Sequence, residues 1–181
     1  MVLDFKLLKL ETAVISEGDM AKVDEIKRAY EEFRQRSREY NDLCYSFAAQ
    51  LRRGFAVYLG SPDDYVTFFP PRKPEEAAGS AEYTQAGAME LEADGFWLLG
   101  VAVHIPGVGI YTYVIRFKHV GEEFVLELGD GVEFEAENGE SEELEAFYNH
   151  LVDITKSFYK KYLDDLLSGD RPEPPFGFIH S

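Results

Sequence analysis

The chain has 181 residues and a mass of 20.6 kDa, enough for one full-sized domain and too short for two ordinary ones. Hydrophobic residues make up 45% and aromatics 14%, which excludes disorder over most of the length. Against 18 Lys and Arg stand 34 Asp and Glu, a formal net charge of -16, and a field of that sign repels nucleic-acid phosphates and anionic lipid. Direct binding to nucleic acid or to a membrane surface is therefore not expected.

Residues 2–16 carry charges through their apolar positions and lack an uninterrupted apolar core, so they do not read as a secretory signal. Leu3, Phe5 and Leu7 alternate as in a strand, while Leu3, Leu7, Leu10 and Val14 also fit a helix; the strand reading is slightly favoured. The single Cys44 cannot form an intramolecular disulfide, and no Cys/His cluster has metal spacing. Both points are in keeping with a cytoplasmic protein without metal or cofactor.

From Asp19, a candidate N-cap, to Gly54, a candidate terminator, the spacing predicts one long helix. Ile26, Tyr30, Phe33, Ser37, Tyr40, Cys44, Phe47 and Leu51 alternate steps of four and three, a seam of coiled-coil type. The seam either packs inside its own domain or pairs with a second copy or another helix, so a homodimer through this helix is one possibility.

After Gly54 the period changes to two. Residues 55–59 and 65–69 read as strands around the turn cluster Gly60-Ser61-Pro62-Asp63-Asp64. Residues 70–87 read as an exposed excursion, in which Pro71 and Pro74 have the spacing of a polyproline ligand. Strands are expected at 88–93, 96–105, 110–118, 122–128 and 132–137. Between Asp94 and Arg116 no charged residue occurs, but Pro106 and its neighbouring glycines make this a buried hairpin rather than a membrane span. Turn chemistry pairs Ala93 with Phe96, Ile105 with Ile110, Phe117 with Phe124, and Leu128 with Val132. Those registers gather Met89, Leu91, Leu98, Gly100, Ala102, His104, Tyr111, Tyr113, Ile115, Phe117, Phe124, Leu126, Leu128, Val132, Phe134 and Ala136 on one core face. Ser141 is the expected cap of a last helix, Leu144, Phe147, Leu151, Ile154 and Phe158 its stripe, and Gly169 its end.

The expected architecture is α+β: an antiparallel meander of five to seven strands, with a long N-terminal and a long C-terminal helix packed on one face. Residues 1–169 form the domain and 170–181 a Pro-rich tail. On the opposite face the same register leaves Trp97 exposed beside Leu99, Val101 and Val103, and makes the last hairpin acidic. There Glu127 stands across from Glu133, and Glu123 from Glu137, with Glu135 between, although like charges across a ladder destabilise it. Residues 122–145 hold eleven acids and no Lys or Arg, and Arg116 and Lys118 neutralise part of that charge.

Three functions follow from these residues. The first is a protein-interaction module of inhibitor, immunity, chaperone or nucleic-acid-mimic type, binding a basic protein partner through Glu123, Glu127, Glu133, Glu135, Glu137 and Trp97. The second is a binder of a small apolar ligand in a helix-grip-like cavity lined by Gly100, Ala102, His104, Tyr111 and Tyr113. The third is an enzyme using His104 and Tyr111 as an acid–base pair; no phosphate loop, nucleophile elbow or zinc motif supports it.

Overall fold

The computed structural model describes residues 17–79, 82–137, 144–169 and 178–179. Residues 2–16, Ser141 and most of the 170–181 tail, on which several expectations fall, lie outside that set. The chain divides into two compact units, Met1–Asn41 and Asp42–Ser181.

Helix α1 runs Glu17–Tyr58, starting two residues before the expected cap Asp19 and passing through the expected stop at Gly54. The predicted strand at 55–59 is thus the last helical turn. Phe55, Val57 and Leu59 alternate, but Phe47, Leu51, Phe55 and Tyr58 keep helical steps of four, four and three, and that period prevails. Phe55 is buried while Val57 is 71% exposed, as a helix, not a two-sided strand, requires. Gly54 is glycine because a Cβ there would collide with the Tyr148 hydroxyl and lie 3.2 Å from its Cζ. Gly60, with φ of 62°, ends the helix instead.

In the first unit the described side chains of α1 are exposed up to Arg36. In the second, strands β1 Val66–Phe69, β2 Met89–Leu91, β3 Trp97–Ile105, β4 Gly109–Val120, β5 Glu123–Glu127, β6 Glu133–Glu137 and β7 Phe178–Ile179 join helix α2 Glu145–Ser168. The seven strands form one sheet in the order β1-β3-β4-β5-β6, with β2 also on β3 and β7 on β4. Every pairing is antiparallel. The α+β architecture is as expected. Residues 42–58 of α1 and helix α2 cover the same sheet face: Phe47 stacks on Phe124 at 3.7 Å and meets Phe117 at 5.3 Å, Phe55 meets Tyr113 at 5.7 Å, and Phe147 meets Phe134 at 5.3 Å. Tyr148 ties the two helices by donating its hydroxyl to the Leu51 carbonyl at 3.1 Å. Helix α2 ends at Gly169, with φ of 83°, as its sequence predicts.

The registers divide. Glu127 faces Glu133 and Glu123 faces Glu137, as expected. Phe117 faces Leu126, not Phe124, a two-residue offset that leaves the faces unchanged. Both hairpins flanking β3 differ by one residue: Leu91 faces Trp97, and His104 faces Ile110. Each closes through a three-residue loop. At the first, Gly95, with φ of 87°, sits in the left-handed region, and the Glu92 N–H donates to the Phe96 carbonyl at 2.7 Å. At the second, the Val108 N–H donates to the Ile105 carbonyl at 3.0 Å. Two successive slips cancel for β2 and β4 and reverse β3 alone. Trp97, Leu99, Val101 and Val103 therefore belong to the helix-covered face, and Leu98, Gly100, Ala102 and His104 to the other.

That other face is partly covered from the excursion. A 310 turn, Pro74–Ala78, places Ala77 in a buried cluster with Phe69, Ala102 and Ile110. Gly100 lacks a side chain because a Cβ would strike the Phe69 carbonyl of the neighbouring strand. Pro71 is buried, while the exposed Pro74 opens the turn, so the polyproline-ligand reading is corrected: Pro71 is not free to enter a partner's groove. Among the described residues no helix is long and apolar enough to cross a membrane.

Candidate functional site

The helix-free face of the sheet is organised around Arg116. Its alternation along β4 points it away from the core, and the β3–β4 register sets it beside Leu98. Its Nε donates to Glu92 at 3.0 Å, its Nη2 to Asp94 at 2.6 Å, and its Nη1 pairs with Glu127. Glu92 also accepts from Arg72 of the excursion at 3.3 Å, and Arg72 meets Glu90 at 2.7 Å. The hydrogen bond and charge of Glu90, then Glu92, raise the Arg72 pKa. Phe96 lies under this cluster, 4.3 Å from the Arg116 guanidinium and 4.2 Å from Lys118 Nζ, the geometry of a cation held over a ring.

Beyond Glu127 the carboxylates change character. Glu133, Glu135 and Glu137 are exposed on β6, the last strand in the sheet order, and none of the ion pairs among the described residues reaches them or the half-buried Glu123. All share the face of Arg116, because β6 strictly alternates these acids with Phe134 and Ala136. The five acids expected on this hairpin are thus together on one face. Glu127 is the exception in chemistry: its side chain is 15% exposed and committed to Arg116.

Trp97 does not join them. It is 6% exposed and packs edge-on against Tyr45 of α1 at 5.8 Å, so its expected place on the acidic surface is corrected. The reversal of β3 also divides the expected ligand site. Gly100, Ala102 and His104 project to one side of the sheet, while Tyr111 and Tyr113 project to the other, so these residues do not line one cavity. His104 stands across from Ile110, and its Nε2 lies 2.9 Å from the Thr67 hydroxyl. The His104–Tyr111 acid–base pair is therefore not formed.

Tyr111 and Tyr113 do border a different hollow. At the edge of β4 between β5 and β7, a groove of about 690 Å³ is lined by Tyr111, Tyr113, Val114, Leu128, Ile154 and Pro71, with Thr112, Asp130 and Arg72 among its polar groups. Burial pushes the Tyr113 hydroxyl well above its usual pKa against the opposing bond with Thr155. The two hydroxyl oxygens are 2.5 Å apart, and the phenol stays protonated at neutral pH. At the rim, Asp130 bonds His150 Nε2 at 2.6 Å and accepts the Val132 N–H at 3.1 Å. Burial opposes ionisation of Asp130, but these bonds outweigh it and hold the carboxyl below its ordinary range.

Sequence reasoning missed Arg72, Phe96, Asp94 and the Asp130–His150 bond. The residues Glu90, Glu92 and Asp94 signal that acids crowd the β2–β3 hairpin. Nothing local says that an arginine of the excursion reaches them. Compared with known proteins, the chain matches no protein family, no curated protein and no solved structure.

Proposed function

We propose that the protein is an interaction module that holds a basic protein partner on the acidic face of the β5–β6 hairpin. One observation carries this reading. Arg116 is taken up by Glu92, Asp94 and Glu127, whereas the exposed Glu133, Glu135 and Glu137 stand in no ion pair among the described residues. Like charges across a ladder cost stability that a binding partner recovers. The same acids keep an edge strand from pairing with other sheets, so a partner engages them through side chains, not by strand addition. The chain's single cysteine, Cys44, is buried and in no disulfide, which suits work in the reducing cytoplasm. The test compares capture of cell proteins by the wild type and by Glu133→Gln/Glu135→Gln/Glu137→Gln. A partner lost in the variant and released by salt supports the reading; no partner, or one held equally by both chains at high salt, defeats it.

The groove at the β4 edge favours a second reading, a binder of a small apolar ligand, since its volume and mostly apolar lining suit such a molecule. A Tyr113→Trp substitution that fills the groove without changing retention of apolar fluorescent probes counts against it.

A further inference from the structure

The first unit presents a surface that the acidic hairpin does not explain. Val23, Ile26, Tyr30 and Phe33 are 49%, 70%, 57% and 65% exposed and follow steps of three, four and three, so they form one stripe along α1. Lys27 and Arg34 flank it on one side and Lys22 and Arg36 on the other. The acids of the same turns, Asp24, Glu25, Glu31 and Glu32, fall on the back of the helix. The Arg34 guanidinium lies 5.8 Å from the Tyr30 ring centroid, at the edge of the stripe, while Lys27 turns toward Asp24 at 3.6 Å with both side chains exposed.

We propose that this stripe docks an amphipathic helix of another protein, one with apolar residues along its contact line and acidic residues on both flanks. The charges select that occupant. In a parallel pair of two copies, Lys22 of one faces Lys27 of the other; in an antiparallel pair, Lys27 faces Arg34 and Lys22 faces Arg36. Either arrangement sets base against base, the condition that disfavours self-pairing in coiled coils. A helix with Glu at these flanking positions meets four cations instead. An anionic membrane is less well matched, because a helix lying in a bilayer interface carries cations on its polar face, and here the back of the helix sets four carboxylates around the single Arg28.

The experiment uses the full chain and two designed helices, each about four heptads long with Leu at both core positions. One has Glu at both flanking positions and the other Lys. Fluorescence anisotropy should show binding of the Glu helix and none of the Lys helix. Lys27→Glu/Arg34→Glu should weaken the Glu helix about tenfold or more at low salt, and Ile26→Asp/Phe33→Asp should abolish its binding. Circular dichroism should report unchanged helix content in both variants. Failure of the Glu helix to bind, equal binding of the Lys helix, Phe33-dependent adsorption to phosphatidylserine vesicles, or a dimer that Phe33→Asp dissociates would each overturn the proposal. None of these outcomes involves Glu133, Glu135 or Glu137, so the two surfaces stand or fall separately.

Discussion

Helix α1 carries one spacing through two contrasting stretches. Between Cys44 and Phe55 the seam is closed: Cys44, Phe47, Leu51 and Phe55 are at most 1% exposed, under Phe117, Phe124 and Tyr113 of the sheet. Between Val23 and Phe33 the same steps leave residues about half exposed or more. Periodicity therefore identifies a stripe and says nothing of what covers it. The closed stretch is distinguished by its neighbours, since its rings meet rings on the sheet; the open stretch is distinguished by its flanking bases. Substitutions in each stretch test whether the contrast is energetic as well as geometric.

The largest effect is expected at Phe47. Its ring stacks on Phe124 and touches Phe117, so Phe47→Ala leaves a cavity and should cost about 3–5 kcal/mol in denaturant unfolding. A loss below about 1 kcal/mol would erase the distinction between the stretches. Next comes Gly54, where the helix persists although its sequence invites a stop. An exposed helical Gly→Ala normally gains about 1 kcal/mol. Here the added methyl meets the Tyr148 ring, and Gly54→Ala should instead destabilise by about 1–3 kcal/mol. Adding Tyr148→Phe should recover part of that loss by removing the oxygen in the way; a simple gain from Gly54→Ala would show that α1 does not pack there as described.

These positions also mark how much the sequence made legible. The seam, the α2 stripe through Leu144, Phe147 and Leu151, and the β5–β6 register could be read, because each alternates apolar with polar residues and a single period fits. The acidic face followed from the same alternation of Glu133, Glu135 and Glu137 with Phe134 and Ala136. Strand β3 could not be read: Trp97 to Val103 is apolar throughout and buried on both faces, so a one-residue slip leaves no polar residue in the wrong place. Agreement between its two hairpins was no safeguard, because equal slips on either side cancel. Trp97 and the division of the ligand residues both went with that strand. The groove at the β4 edge arises from the long β4 outrunning β5, a fact of strand lengths and pairing that no local pattern encodes.

Acid should sharpen the contrast from the sheet side. Asp130 links the β5–β6 turn to His150 of α2, and its carboxyl is held below the ordinary value of 3.8 by the Val132 and His150 bonds acting against burial. Because the folded value is depressed, its contribution to stability is fully present above the unfolded value and is lost as pH falls through the folded one. The stability difference between the wild type and Asp130→Asn should therefore be constant above about pH 5 and shrink below about pH 4. A difference that stays flat through this range would mean that the bond contributes nothing to the surface on which the closed stretch rests.

The smallest expected effect is the most decisive for the open stretch. Phe33 is 65% exposed, so Phe33→Ala removes little buried area, and alanine's higher helix propensity returns a few tenths of a kcal/mol. The net change in unfolding free energy should lie within about 0.5 kcal/mol of zero, although the ring is as large as that of Phe47 and occupies the same kind of seam position. A loss of about 2 kcal/mol or more would mean that Phe33 is already buried in the isolated protein, and the stripe would then be core and not surface. If stability holds while binding of a Glu-flanked helix falls, the ring serves a partner and not the fold. That separation of stability from binding, at a residue that holds the same kind of seam position as the buried Phe47, is what distinguishes an open seam from a closed one.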